Sequence, residues 1–414
     1  MNTLPLSPMR GARVLSALVA VLLLSAPPTL RAAAETTSTA PADAATTSAD
    51  TATTAPVLAY DTSRGGGVYG PTMSIDPAFE FYQKGDLPAI LAQMRARGIT
   101  AVRVIDTGWM GGPQHRSIAG RVRAAGMAPV LCMFPPTHAG LYDMHPGWRQ
   151  KMLGGADGRY DWRTYLCPSR AEARAALAEE FAAAALAGPY DGIQIAEPWF
   201  EQWGGPEEKE GVPRAGYACV CDVCLANFRA ASGGVDAREM LTLPDSPAYR
   251  RKPAGAAHYR LWQDMRVDAV TSMTRAIAEE ARRTRPGIVV NLMVLSDARV
   301  EPGKIREYHA IDIARLVTEA QPDIVCVQDA WQDWLQKGLK PEFIRDYAAH
   351  YAGPLRALKP GLFIMSHADI GSNAASKRPW PWIRRFAEET LASGFNAPSF
   401  YEWSVSTLTM PDAP

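Results

Sequence analysis

The chain has 414 residues, 43 Lys plus Arg against 43 Asp plus Glu, and a hydrophobic fraction of 47%. The zero formal net charge gives no electrostatic footprint for nucleic acid or for an anionic membrane. The apolar fraction is that of a globular protein with a large core, and no internal repeat is present.

The first 34 residues read as an export signal. Arg10 and Arg13 precede an apolar run from Val14 to Ala26, and Ala32-Ala33-Ala34 offers a small-residue cleavage site. The run is too short to span a bilayer, so cleavage is expected rather than anchoring. No Cys stands near that site, so no lipid attachment is expected there. Residues 35–56 are almost entirely Thr, Ala, Ser, Asp and Pro. Such a segment cannot bury enough apolar area to offset its ordering entropy, and a disordered tether is expected. The exported protein would be secreted or periplasmic, with no membrane contact after cleavage. Nothing in the sequence sets an oligomeric state.

Residues 57–414 alternate short apolar runs with helical patterns, which implies parallel strands joined by crossover helices. The runs are Val68–Ile75, Ala101–Ile105, Ala128–Phe134, Gly192–Ala196, Ile288–Leu295, Ile324–Val327, Leu362–Met365 and Ala397–Tyr401. Between them lie helical stretches such as Leu87–Arg97, Arg170–Ala187, Ala256–Arg283 and Trp382–Ala392. Ser169 is placed to cap the second of these, and Gly188-Pro189 to stop it. Eight such units predict an α/β fold of the closed (β/α)8 barrel type. No Gly-rich phosphate loop follows the first strand, which weighs against a dinucleotide fold, and no organic cofactor is expected. Little more than Ser404 to Pro414 follows the eighth strand, so the last helix is expected to be stunted or missing.

Chemistry in such barrels sits at the C-terminal strand ends. Strand two ends in Arg103, Asp106 and Trp109. Strand four ends in Glu197-Pro198-Trp199, with Trp203 behind, and strand five in Ser296-Asp297. Strand six ends in Gln328-Asp329-Ala330-Trp331, followed by Trp334. Strand seven ends in Ser366-His367-Ala368-Asp369, and strand eight in Tyr401-Glu402-Trp403. Carboxylates beside aromatic platforms suit glycoside chemistry: one carboxylic acid protonates the leaving oxygen, and a second carboxylate attacks the anomeric carbon or activates water. Aromatic faces stack on a pyranose, and polar groups fix its hydroxyls. Arg103, Asp106, Trp109, Trp199, Gln328, Asp329, Trp331, His367, Tyr401 and Trp403 are the candidate sugar-binding residues. No His set with ligand spacing and no G-x-S-x-G elbow is present, which weighs against a zinc hydrolase and a serine hydrolase.

Around Asp191-Gly-Ile-Gln-Ile-Ala-Glu197-Pro198 the chain resembles the clan A glycoside hydrolases, whose strand-four Glu is the general acid/base. Glu197 matches that Glu, while Ala196 stands where the family usually has Asn. Phe400-Tyr401-Glu402-Trp403 is similar to the aromatic platform that ends the clan's barrel. Cys219-Val-Cys221-Asp-Val-Cys224, with Cys167 upstream, resembles the structural zinc site of family 42 glycoside hydrolases and related glycosidase-like barrels. Four thiolates suit a closed structural Zn²⁺ site; disulfides are the competing reading on an export route. Cys132 and Cys326 fall inside strands and read as ordinary core. The resemblance implies a glycoside hydrolase acting on an oligo- or polysaccharide, with a nucleophilic Glu ending strand seven. Here that strand ends in Ser-His-Ala-Asp, so Asp369, then Glu402, then Asp329 is the candidate second carboxylate. A carbohydrate-binding barrel without turnover is the alternative. Strand alternation puts Glu197 on one face with Ile193 and Ile195, opening into the barrel mouth. It also turns Glu402 outward if Trp403 faces inward. Glu197 is expected to be partly buried among Trp rings, sharing its pocket with Arg103, Trp403 and a second carboxylate.

Overall fold

The computed structural model describes residues 58–108, 111–201, 216–242, 252–296 and 304–406. The export-signal and tether readings, Trp109, Trp203, Asp297 and the Trp331 side chain lie outside this set. Eight parallel strands form a closed barrel. They are β1 Thr72–Ile75, β2 Ala101–Asp106, β3 Ala128–Met133, β4 Gly192–Ala196, β5 Val289–Leu295, β6 Ile324–Gln328, β7 Phe363–Asp369 and β8 Ala397–Tyr401. β8 returns to β1 through Thr72↔Ser399 and Met73↔Phe400. All eight expected strands are present, with ends shifted by a few residues.

The crossover helices include α1 Leu87–Ala96, α2 Pro113–Ala124, α3 Ala171–Ala187, α4 Pro253–Thr284, α5 Ile313–Ala320, α6 Ala352–Leu358 and α7 Trp380–Ala392. α1 shows why these segments coil. Asp86 caps it by accepting from the Ala89 N–H, Pro88 sits in its first turn, and Leu87, Ile90, Leu91 and Met94 form the buried stripe. Residues 402–406 after β8 form no helix. No helix among the described residues is long and apolar enough to cross a membrane. The capping expectation for α3 is corrected: Arg170 holds the cap position without a side-chain bond. The Ser169 hydroxyl lies instead 3.2 Å from Cys224 Sγ.

The strands are buried on both faces, as in parallel sheets covered by helices. One apolar layer, between strands and helices, contains Val102, Leu131, Ile193, Ile195, Val325 and Val327 with Phe181 and Phe386. A second fills the barrel interior with Ala101, Ile105, Cys132, Ala196, Met293, Cys326 and Met365. This division reverses the expected face of β4: Ile193 and Ile195 point to the helices, and Ala196 points inward. Simple alternation would therefore send Glu197 outward. Its φ of 50° breaks the alternation, a left-handed backbone that non-glycine residues rarely adopt. Trp403 is corrected too. It lies fully buried in the helix-side layer, with the Arg97 guanidinium 5.5 Å from its ring centroid.

Candidate active site

Glu197 is buried at the end of β4. Its partner comes from the long loop after β3, where a small antiparallel ribbon pairs Arg159–Tyr160 with Arg163–Thr164. Arg163 Nη2 donates to Glu197 Oε2 at 2.7 Å. The same guanidinium lies 4.9 Å from the Trp162 ring centroid, 5.0 Å from Trp199 and 5.1 Å from Phe134. Such faces attract a desolvated cation. Burial opposes the charge on Arg163, but Glu197 and Tyr165 outweigh it and hold the guanidinium above its ordinary range. Glu197 thus sits beside Trp199, as expected, yet the group bonded to it is a cation and not a second carboxylate. Sequence reasoning missed Arg163, Trp162 and Phe134. The available signal was position: Trp162-Arg163 stands just before Cys167, which the cysteine spacing had already tied to the loop after strand four.

Further carboxylates end the other strands. Asp369 is buried, and its Oδ1 accepts from the Gly371 and Ser372 N–H groups at 3.0 and 2.9 Å. Burial pushes this carboxyl up against those bonds. Asp329 Oδ1 accepts from Trp334 Nε1 at 2.7 Å. Burial, then the charge of Asp369, pushes Asp329 well above the usual carboxylate range. Asp76, missed by the sequence reading, follows β1; it is buried and pushed up chiefly by burial. Tyr401 of β8 is in register with Asp369. Its phenol is pushed well up by burial, then by the charges of Glu402, Asp76, Asp369 and Glu197. Asp106 ends β2 and accepts from the Gly108 N–H at 2.9 Å and from the Gly111 N–H, with His115 Nε2 at 4.0 Å.

Glu402 is fully buried and engaged on both oxygens. Oε1 accepts from the Tyr82 hydroxyl and the Asp76 N–H, and Oε2 from the Ser404 N–H and hydroxyl. Tyr82 belongs to the helical turn Glu80–Lys84, so the carboxylate is held against that turn; alternation does not account for this, since it required Trp403 to face inward and Trp403 lies in the helix-side layer. Burial, opposed by these bonds, raises its carboxyl from 4.5 to about 7. The folded state therefore keeps a proton that the unfolded chain loses. Stability from this group is fully present below the unfolded value and is lost as pH rises through about 7. The difference corresponds to roughly 3 kcal/mol. Urea unfolding at about pH 5 and pH 8 should show this decline, and Glu402→Gln should reduce it. An equal decline in both proteins would refute the assignment.

The barrel interior is polar beneath these strand ends. Arg103, 1% exposed, bonds to Gln194, His367 and the Phe400 carbonyl. Cys132 Sγ lies 3.2 Å from Gln194 Oε1, and the charge of Arg103 reaches both Cys132 and Cys326. These two cysteines are thus neighbours of a buried charge and not purely apolar filling. Gln328 is buried and level with His367.

Cys167, Cys219, Cys221 and Cys224 converge, with all four sulfurs within 4.8 Å of one another and buried. Cys167 Sγ lies 3.6 Å from both Cys221 and Cys224 Sγ. A tetrahedral ion with metal–sulfur bonds of about 2.3 Å sets sulfurs roughly 3.8 Å apart, so the group has the size of a metal site. All six cysteines are free thiols. The backbone N–H of Lys151 donates to Cys219 Sγ at 3.3 Å. The cluster joins the loop after β3, which carries Arg163, to the segment after β4.

No protein-family model matches the chain, and no curated protein matches it by sequence. Solved structures do resemble it. The catalytic domain of β-amylase from Paenibacillus polymyxa aligns with a TM-score of 0.53 at 13% identity, covering 81% of this chain and 92% of that one. A β-galactosidase from the psychrophilic Marinomonas ef1 gives 0.56 at 15% identity, covering 83% and 57%. A GH42 β-galactosidase from G. stearothermophilus gives 0.52 at 14% identity, covering 84% and 52%. The chain spans just over half the length of these two galactosidases. The fold is a (β/α)8 barrel of the kind these glycoside hydrolases share.

Proposed function

We propose that the protein is a secreted glycoside hydrolase cleaving O-glycosidic bonds of an oligo- or polysaccharide, with Glu197 as general acid/base and Asp369 as the second carboxylate. The observation that carries the reading is the set of buried carboxylates at three strand ends: Asp76 after β1, Glu197 after β4 and Asp369 at the end of β7. Carboxyl groups in contrasting surroundings are what acid and base roles require. Asp369 is preferred to Glu402 because both oxygens of Glu402 already accept structural bonds. Asp329 stands behind Asp369, tied to Trp334. Trp199, Tyr401, Gln328, His367 and Asp106 supply the sugar-binding surroundings, and the buried Arg103 acts through His367. The four cysteines would hold one structural zinc ion, which cross-links two loops and takes no part in bond cleavage.

The test compares Asp369→Asn with Asp329→Asn on an aryl glycoside. Asp369→Asn should lower kcat by at least about a hundredfold, and Asp329→Asn by much less. The reverse order would transfer the role to Asp329, and full activity in both would end the two-carboxylate reading. One observation favours the second reading, a carbohydrate-binding barrel: the ion pair with Arg163 engages Glu197 and fills the space between three aromatic rings. Saccharide binding without turnover of any glycoside by the full chain would establish that alternative.

A further inference from the structure

Arg103 carries its charge into the barrel interior and has no carboxylate among its hydrogen-bond partners. Its Nη2 has two protons. One goes to the Phe400 carbonyl at 2.8 Å and the other to His367 Nδ1 at 3.1 Å. Nη1 points to Gln194 Oε1 and Met293 Sδ, each at 3.4 Å. A guanidinium only donates, so the ring nitrogen facing it must present a lone pair. Ser399 Oγ lies 3.0 Å from the same Nδ1 and can donate to it as well. A neutral imidazole that accepts at Nδ1 carries its proton on Nε2. That nitrogen has no side-chain hydrogen-bond partner among the described residues, while the Ser399 backbone lies close enough to the ring to bear on its charge.

We propose that Arg103 is a positioning residue that fixes His367 as the neutral Nε2–H tautomer, and that this N–H donates to a hydroxyl of the bound sugar. The inference rests on the glycoside reading above. His367 lies level with Gln328 of β6 and Ser399 of β8, two residues before Asp369 at the end of β7. The groups around it are Arg103 from β2, Gln328 from β6 and Ser399 from β8. Cys132 and Cys326 lie against Arg103, and burial pushes both thiols up, so they supply no counter-charge. Burial and the like charge of Arg103 hold His367 well below its ordinary range, against the Ser399 backbone, which favours the charged ring. An imidazole held this way accepts no proton at Nδ1, whose lone pair already faces Arg103 and Ser399. The seventh strand therefore offers a fixed donor at His367, two residues before Asp369.

The full chain is labelled with ¹⁵N-histidine, and His367 is assigned as the ring signal lost in His367→Gln. The expected result is the Nε2–H tautomer, unchanged from about pH 5 to 8, the range in which an ordinary histidine titrates. An Nδ1–H tautomer or an imidazolium in that range overturns the proposal. Arg103→Gln should let the ring titrate or mix tautomers, and an unchanged tautomer there removes the positioning role. If Arg103→Gln does not fold, Arg103→Lys decides: it keeps a charged donor and should keep the tautomer, and loss of the tautomer in it counts against the proposal. The donor role is read with 4-nitrophenyl β-D-galactopyranoside. His367→Phe should lose about tenfold in kcat/KM, the usual worth of one hydrogen bond, and His367→Gln, which retains an N–H, should recover most of it. Equal loss in both overturns the donor role. If the parent chain turns over no glycoside, the glycoside reading fails, while the tautomer measurement still decides the Arg103–His367 pair.

Discussion

Replacing Glu197 with Gln should cut turnover of an unactivated alkyl glycoside by at least about a hundredfold, the usual worth of general acid–base catalysis, and leave sugar affinity little changed. Gln keeps the shape of the side chain and removes the titratable proton. Glu197 Oε2 accepts from Arg163, and Oε1 has no hydrogen-bond partner among the described residues, which leaves that oxygen for a substrate. The Trp162, Trp199 and Phe134 faces still hold the guanidinium in the variant, so the loop should stay in place. Steady-state kinetics on an alkyl glycoside and on one with a dinitrophenolate leaving group separate the roles. The second substrate needs no protonation, so its cleavage step should be far less affected. Calorimetry with the corresponding sugar reads affinity. Full activity of Glu197→Gln on the alkyl glycoside would end the mechanism. Arg163→Gln should also slow the reaction, because an ion-paired carboxylate that loses its partner is free to rotate, and a misplacement of about 1 Å can cost a hundredfold.

Stripping metal from the four-cysteine cluster should produce the largest loss of stability. A ligand that binds only the folded state stabilises it by about 4 kcal/mol when its free concentration is a thousandfold above Kd, and structural zinc sites bind tightly enough to reach that regime. Elemental analysis should find one zinc per chain. Treatment with a strong chelator should then lower the melting temperature and open the segments around Lys151–Cys167 and Tyr217–Cys224 to proteolysis, because these are held together at the cluster. Cys219→Ser should do the same, whereas Cys132→Ala and Cys326→Ala should keep the metal. Arg163 lies in the loop that the cluster anchors, so turnover should fall with the metal even though four thiolates would leave no coordination position for a substrate. Absence of bound metal together with an unchanged melt in chelator would refute the site.

The alternation of apolar runs and helical patterns is local, and it determined the eight strands and the barrel. The strand-end carboxylates and aromatics follow from that alternation, since each lies within a few residues of an apolar run. The cysteine spacing likewise marked Cys219, Cys221 and Cys224, with Cys167 upstream, as one group, and the structure gathers all four sulfurs. The tertiary structure decided which way the key side chains point. Ile193 and Ile195 face the helices, so alternation alone would have misdirected Glu197, and a left-handed backbone at that residue redirects it. Trp403 went to the helix-side layer for a related reason: alternation holds only while the strand continues, and β8 ends at Tyr401. The partnership of Arg163 with Glu197, and of Arg103 with His367, joins residues 34 and 264 positions apart. Spacing along the chain carries no signal for such pairs. They are fixed by how the barrel closes and where the cysteine cluster pins the loop, both products of long-range packing.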